Sequence, residues 1–209
     1  MKRIALCLAA LMIPAAASAQ DVDANINLAV TPASYSGCAD GTQYDSGDCS
    51  GLGGAGDAGP SFVWIVASRE GGYGNGIGGA QFGLNHDLSV DNWALCTGGS
   101  EIPEGGWPAS GTGNAATWGG GCYNPAGAAA NIGYLTVGAG TPTGNAAVTG
   151  DPRIGEAVYA DCDAAVSGIC DQNLGSIDMA AGSAAVCGDN CEVGTPTLDS
   201  SWTTIKSLF

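Results

Sequence analysis

The sequence predicts an all-β fold, an antiparallel β-sandwich with long glycine-rich loops that are stapled by disulfides. First, short apolar runs of alternating polarity recur at spacings of about ten residues and are separated by turn residues. Second, glycine supplies 36 of the 209 residues, while apolar residues still make up 45% of the chain. This composition favours short strands and tight turns over helices. Third, the nine cysteines are typical of a fold held by disulfides.

The chain begins with a predicted secretory signal peptide, residues 1–19. Lys2 and Arg3 precede an apolar run, residues 4–13, and a small-residue cleavage site ends at Ala19. The apolar run is too short to span a bilayer. We therefore expect a secreted protein, periplasmic or extracellular, without membrane insertion, whose sandwich domain occupies residues 20–196.

The centre of the predicted sandwich is the stretch 61–87. Residues 62–67 form an apolar run rich in β-branched side chains, which suit a pleated, packed surface. In residues 80–85, Ala80, Phe82 and Leu84 alternate with polar residues and glycine, which predicts one buried and one solvated face. The connection between these runs is rich in Gly and Asn and predicts a hairpin that pairs the two strands.

Further strands are predicted where the alternation returns, at residues 21–30, 88–96, 115–118, 131–139, 145–149, 157–162 and 173–179. Residues 31–60 carry turn residues and no apolar face, so we expect a loop that is clipped by its own disulfide. Near the end, Trp202 and Ile205 begin an apolar spacing of three to four residues after Ser201, an N-cap type. This spacing predicts a short amphipathic helical turn within a separate C-terminal tail, residues 197–209.

Eight cysteines follow the leader, which allows up to four disulfides in an oxidising compartment: Cys38, Cys49, Cys96, Cys122, Cys162, Cys170, Cys187 and Cys191. The sequence does not determine the pairing, and we take neighbouring pairs as the working hypothesis: Cys38–Cys49, Cys96–Cys122, Cys162–Cys170 and Cys187–Cys191. A zinc site is the competing interpretation, but the chain has one histidine and lacks paired C-x-x-C motifs.

The net charge of −15 at pH 7 disfavours nucleic acid and anionic membranes as partners. It fits either a solvated acidic surface or binding of a hard cation, Ca²⁺. Oxygen-rich loops with glycine turns supply the candidate ligands, which are Asp40, Asp45, Asp48, Asp57, Asp161 and Asp163. No EF-hand loop is present, so the sequence does not choose among these acids.

No motif predicts catalysis. Residues 74–79 match the glycine pattern of dinucleotide-binding loops, but a strand follows where that mechanism needs a helix. His86 lacks an aligned nucleophile and is expected to be structural or at the surface. The acid pairs Glu101/Glu104 and Asp161/Asp163 would suit glycoside hydrolysis only at a defined separation. We therefore predict no catalytic residue.

Two tryptophans are candidate ligand contacts. Trp107 and Trp118 lie in glycine-rich loops, where exposed rings would contact a sugar or a protein. Trp64 and Trp93 lie within strand patterns and are expected to belong to the core.

The segment Gly76-Ile77-Gly78-Gly79-Ala80-Gln81-Phe82-Gly83-Leu84-Asn85-His86-Asp87 resembles the "G-(I/V)-x-G-x-x-F-x-L-x-(Y/F)-D" strand of cohesin-like modules. A later strand, residues 132–137, is similar to the "G-x-L-x-x-(V/A)" strand of that family. The resemblance covers roughly residues 61–162 and implies an Ig-like or jelly-roll type of sandwich that binds other proteins. The cysteines and the long acidic insertion depart from the family pattern.

The C-terminal sequence W-x-x-I-K-x-L-F, from Trp202 to Phe209, is similar to the tail of small exported bacterial β-sandwich proteins of unassigned function. Together these features predict a non-catalytic binding or structural surface protein, with a protein or a glycan at the cell surface as partner. The alternatives are a carbohydrate-binding module that uses the loop tryptophans, and a self-assembling subunit that uses sheet edges or the C-terminal turn.

Overall fold

The computed structural model describes residues 24–33, 37–39, 52, 54–56, 59–69, 76–96, 98–118, 122–123, 129–138, 143–163 and 166–184. Within these residues the regular structure is β-strand, apart from two 3-10 turns at Gly37–Ala39 and Asp171–Asn173. No helix among them is long and apolar enough to cross a membrane. The predicted leader and the predicted helical turn of the tail lie outside the described residues.

The first sheet has four antiparallel strands, which are β1 (Ala24–Pro32), β2 (Ser61–Arg69), β4 (Val90–Leu95) and β7 (Ala129–Val137). Their spatial order is β1-β2-β7-β4, so β1 and β4 are the edges of this sheet. The pairing of β1 with β2 is continuous over nine residues. Register irregularities occur in both pairings of β7, with Ile132 of β7 as the extra residue opposite β2 and Asp91 of β4 as the extra residue opposite β7.

The second sheet has eight strands, which are β3 (Ile77–His86), β5 (Ser100–Pro103), β6 (Thr112–Thr117), β8 (Asn145–Thr149), β9 (Ala157–Asp161), β10 (Val166–Ile169), β11 (Ser176–Asp178) and β12 (Gly182–Ala184). The long strand β3 is its centre. One edge of β3 pairs with β6, and the other edge pairs first with β9 and then with β8. The strand β5 pairs with β6.

The main core lies between the two sheets. It is formed by the inward face of each strand, for example Val63 and Ile65 of β2 and Phe82 and Leu84 of β3, all of which are fully buried. This packing of two antiparallel sheets confirms the predicted all-β sandwich. The predicted strands 62–67, 131–139, 145–149 and 157–162 all correspond to observed strands.

A second apolar cluster covers the outer face of the four-stranded sheet. Phe62, Trp64 and Val66 of β2 pack there against Leu52, which belongs to the insertion before β2. Phe62, Trp64 and Tyr134 are in ring contact, with centroids 4.5–5.6 Å apart. The four-stranded sheet is therefore buried on both faces, by the second sheet on one side and by the insertion on the other. The expectation that the insertion has no apolar face is wrong at Leu52.

The predicted hairpin between β2 and β3 is wrong. β2 pairs with β1 and β7 in one sheet, while β3 pairs with β6, β8 and β9 in the other, so the segment between them crosses from sheet to sheet. Alternation of polarity reports which face of a strand is buried but not which strand lies beside it. The outer side of β3 is also largely buried, since Gln81 is only 2% exposed.

Three short strands of the described residues, β5, β10 and β12, were not predicted. β5 and β10 have four residues each and β12 has three, too few for a period-two pattern to stand out. The predicted strand 173–179 is instead a 3-10 turn followed by the three-residue strand β11.

The predicted disulfide pairing is wrong at each described cysteine. The bonds observed are Cys38–Cys96 and Cys122–Cys162, with Cα–Cα distances of 5.3 and 5.6 Å. Cys170 is also disulfide-bonded, so its predicted bond to Cys162 does not exist. Cysteines that are adjacent in sequence are not bonded to each other because the insertion packs on the four-stranded sheet, where Cys38 reaches Cys96 just after β4. The pair Cys187–Cys191 lies outside the described residues.

Candidate binding groove

An open groove runs between the edge strands β4 and β5, one from each sheet. It has a volume of about 500 Å³, and we call it the Trp93–Trp107 groove. Its walls come from β4, β5 and the turn that joins β5 to β6, and the side chains that matter below are Asp91, Trp93, Glu101, Glu104 and Trp107. In the described part of the chain, β4 and β5 each pair with one strand only, so both are sheet edges.

Two indole rings meet at a right angle inside the groove. The Trp93 and Trp107 centroids are 5.3 Å apart with an interplanar angle of 86°. Behind them, Phe82 from the main core contacts Trp107 edge to face at 5.8 Å. Both indoles are partly exposed. Contact with the core therefore holds the two rings in place, while part of each ring stays accessible to solvent.

Glu101 is held at this corner by two side-chain donors. The Trp93 Nε1–H and the Asn114 Nδ2–H each donate to Glu101 Oε2 at 2.7 Å. Asn114 is fully buried, and the pairing of β5 with β6 puts it on the same face of the sheet as Glu101. A partly buried carboxylate with fixed donors is pre-oriented, which reduces the entropy lost when it binds a ligand.

Two further carboxylates border the groove. Glu104 Oε2 accepts a hydrogen bond from the Gly113 backbone N–H at 2.9 Å, while Asp91 is exposed on β4. In the described part of the chain, no lysine or arginine lines the groove. The site is therefore aromatic on two sides and negatively charged at its rim.

The turn that carries Trp107 is tied to the end of β3. His86 Nε2 lies 2.7 Å from the Pro108 carbonyl oxygen, so the proton is on Nε2 and the ring donates. The His86 backbone N–H donates to Ser110 Oγ at 2.8 Å, and the Gly111 N–H donates to the Leu84 carbonyl at 2.8 Å. These contacts agree with the structural role predicted for His86.

A buried ion pair supports β5 from behind. Asp151 is fully buried and accepts from Arg153 Nε at 2.9 Å and from Nη2 at 2.6 Å. Arg153 Nη1 also donates to the Ile102 carbonyl of β5 at 3.0 Å. The hydrogen bond to Asp151 raises the pKa of Arg153 above its usual value, and burial opposes this rise.

The structure separates the two candidate contact tryptophans. Trp107 lines the groove, whereas Trp118 stacks on Tyr123 at 5.7 Å and does not belong to the groove lining. Trp64 is fully buried, as predicted, but Trp93 is partly exposed and forms a groove wall. The acids Glu101 and Glu104, noted in the sequence only as a pair, both lie at the groove.

The candidate calcium ligands are divided. Asp40, Asp45, Asp48 and Asp57 lie outside the described residues, and Asp161 and Asp163 lie at the end of β9 and just after it. Among the described residues, no three His, Cys, Asp or Glu side chains cluster as a metal site would require. Calcium binding stays a prediction.

A second depression, of about 550 Å³, lies at the end of β3, β8 and β11. Its walls combine polar residues, such as Asp87, Ser110 and Asp178, with the apolar residues Ala146 and Ile177. Asp87 and Asp178 each accept a hydrogen bond from a backbone N–H, that of Asn145 and that of Ala180 respectively. No Phe, Tyr or Trp of the described residues lines it, so we regard the Trp93–Trp107 groove as the stronger candidate site.

The chain has weak similarity to solved cohesin modules. One is the cohesin module of a family 33 glycoside hydrolase from Clostridium perfringens, with 9% identity and a TM-score of 0.45 over 76% of this chain and 96% of that one. Another is the sixth cohesin of Acetivibrio cellulolyticus scaffoldin B in complex with a Cel5 dockerin, with 11% identity and a TM-score of 0.42 over 74% and 99%.

No protein-family model and no curated protein matches the sequence. Cohesin modules are thus among the structures similar to this chain, in line with the resemblance of residues 76–87. Identities and TM-scores this low establish no family and assign no role to any residue.

Proposed function

We propose that this chain is an exported, non-catalytic binding protein that engages a partner protein through the Trp93–Trp107 groove. The observation that carries the proposal is the pre-oriented combination of two indoles and the Glu101 carboxylate at an open sandwich edge. Partly exposed aromatic rings beside fixed polar groups are typical of binding hot spots. Disulfide bonds at described cysteines fit an oxidising, extracytoplasmic location.

The shape of the groove favours a compact side chain over a flat sugar ring. A carbohydrate platform needs room for a whole pyranose to lie flat on one ring, whereas here a second ring stands at 86° to the first. The other loop tryptophan, Trp118, is already stacked on Tyr123. A glycan-binding module remains the second candidate, since the groove is open and has hydrogen-bonding groups along its rim.

Binding rather than chemistry is proposed because both groove glutamates serve structural hydrogen bonds. Glu101 Oε2 accepts from two side chains, and Glu104 Oε2 accepts from the backbone of β6. Hydrolysis of a glycoside needs one carboxyl group that donates a proton and another that attacks or activates water. A glycosidase activity that disappears in a Glu101→Gln variant would contradict this proposal.

For the rest of the chain, we propose that residues 1–19 are removed on export and that residues 20–196 form one domain. We keep residues 197–209 as a separate tail. Concentration-dependent sedimentation of the mature protein would separate a monomer from a self-assembling subunit.

The proposal is tested by selecting ligands without assuming their chemistry. The oxidised mature protein is used to select random displayed peptides and is applied to a glycan array. Binders are then measured against two charge-reversal variants of exposed acids, Asp91→Lys at the groove and Asp171→Lys in the distant 3-10 turn. Both side chains are exposed, so both variants are expected to fold.

We expect peptide binders whose affinity falls at least about tenfold with Asp91→Lys, a free-energy change of about 1.4 kcal/mol. Asp171→Lys should leave them unchanged. Binders that are only glycans would favour the second candidate. Binders that ignore Asp91→Lys would contradict the groove as the binding site.

A further inference from the structure

We infer that the Trp93–Trp107 groove takes an arginine side chain from an exposed segment of the partner protein. This inference rests on the proposed function and names the chemistry of its ligand. A guanidinium offers a planar set of donors for carboxylates and a flat face for aromatic rings. The groove presents both complements together.

The first argument is the unused acceptor capacity at the groove. Each of its two glutamates accepts hydrogen bonds only through Oε2, which leaves Oε1 of Glu101 and Oε1 of Glu104 without a donor among the described residues. The exposed carboxylate of Asp91 likewise receives no hydrogen bond from them. Guanidinium–carboxylate hydrogen bonds are charge-assisted and stronger than neutral ones.

The second argument is the geometry of the aromatic corner. Two indoles at a right angle expose two ring surfaces to the same small volume, and tryptophan is the best cation–π partner among the side chains. Because the Trp93 N–H donates to Glu101, the carboxylate is fixed at the edge of that ring. A guanidinium stacked on the Trp93 ring would therefore lie beside an oxygen acceptor that is already in place.

The third argument is that the described part of the chain has no cation of its own to fill the groove. Arg153 is bound to Asp151 and to the Ile102 carbonyl. Arg69 lies over the Tyr159 ring at 6.0 Å. The net charge of −15 also attracts a basic segment at long range.

Strand addition at β4 would be the other way to use this edge. The register irregularity between Val90 and Asn92 and the exposed charge of Asp91 both oppose it, because bulges and edge charges prevent pairing with a new strand. Recognition by a side chain is therefore favoured over recognition by backbone.

The test uses short capped peptides of glycine and serine that carry arginine, citrulline or glutamate at the same positions. Citrulline keeps the size and planarity of arginine but is neutral. Affinity for the oxidised mature protein is measured by calorimetry at low and at physiological salt. The protein variants are Glu101→Gln, which retains an acceptor oxygen for Trp93 and Asn114, Asp91→Asn, and the control Asp171→Asn, which removes the same charge outside the groove.

We expect the arginine peptide to bind and the citrulline peptide to bind at least about tenfold more weakly. Glu101→Gln and Asp91→Asn should each lower the affinity for the arginine peptide by about three- to tenfold. Asp171→Asn should leave this affinity unchanged. Salt should weaken binding, since the interaction is partly exposed.

Equal binding of the arginine and citrulline peptides would overturn the inference. So would equal weakening by Asp171→Asn, because binding would then reflect the overall negative charge. If random selection yields groove-dependent peptides without basic residues, the inference fails while the proposed function stands. If selection yields no groove-dependent peptide, the proposed function fails as well.

Discussion

Replacing Glu101 by alanine tests the structural core of the groove. The substitution removes the acceptor of two hydrogen bonds, one from the Trp93 indole and one from the amide of the fully buried Asn114. Glutamine is the matched control, because its amide oxygen can accept both bonds without the charge. Neither substitution opens a cavity in the main core, since Glu101 is partly exposed.

The magnitude follows from the two donors. A hydrogen bond to a charged acceptor contributes about 1.5–3 kcal/mol, and the lower end applies where solvent reaches the group. We therefore expect Glu101→Ala to lower the free energy of unfolding by about 3 kcal/mol and Glu101→Gln by about 1 kcal/mol. In a double-mutant cycle with Trp93→Phe, the coupling energy should be about 1.5 kcal/mol.

The assay is urea unfolding of the oxidised protein, followed by tryptophan fluorescence and by circular dichroism. Equal effects of the alanine and glutamine variants, or a coupling energy near zero, would show that Glu101 does not hold the groove. Such a result would refute the argument that the groove is pre-oriented.

Three other predictions concern the surrounding structure. A Cβ at Gly113 would lie 2.5 Å from the Asp151 carboxylate. Gly113→Ala should therefore disturb a buried ion pair and lower the free energy of unfolding, measured with urea, by about 3 kcal/mol. The control Gly105→Ala places a Cβ with no atom within 4 Å and should change the free energy of unfolding little. Cys38 and Cys96 are 58 residues apart, so replacing both by alanine should cost about 4 kcal/mol in the chain-entropy model, measured as a lower urea midpoint; an unchanged midpoint would contradict this. Excess Ca²⁺ should raise the thermal midpoint relative to EDTA if the acids of the insertion bind it; an unchanged midpoint would assign those acids to the solvated surface.

The strands of the fold could be predicted because their chemistry is local. Phe82 and Leu84 alternate with small or polar residues, and the run around Ile65 is β-branched, so both appear as strands without any partner. Their pairing could not be predicted in the same way. β2 and β3 belong to different sheets, and this depends on long-range contacts that no short window contains.

The disulfides show the same limit. Cys38 and Cys96 meet because an insertion folds over the outer face of the first sheet and packs Leu52 against Trp64. A single leucine among turn residues gives no periodic signal. The insertion therefore looks like an independent loop in the sequence, although it completes the burial of a sheet.

The groove could be predicted only in part. Trp107 was recognisable as a tryptophan in a glycine-rich turn, and it does line the groove. Trp93 was assigned to the core because its strand pattern is ordinary, and the pattern does not reveal that β4 is an edge. Glu101 meets Trp93 only because β4 and β5, which belong to different sheets, lie beside each other, and β5 itself is too short to predict.

The most direct test of the binding proposal follows the indole N–H signals of the mature protein by ¹⁵N-edited NMR during titration with the capped arginine peptide. The signals of Trp93 and Trp107 should shift with a common saturation curve. The signal of Trp64 should stay in place, because its N–H is buried in a 2.8 Å hydrogen bond to Thr31. Unchanged Trp93 and Trp107 signals at saturating peptide, or a shift confined to Trp118, would contradict the account.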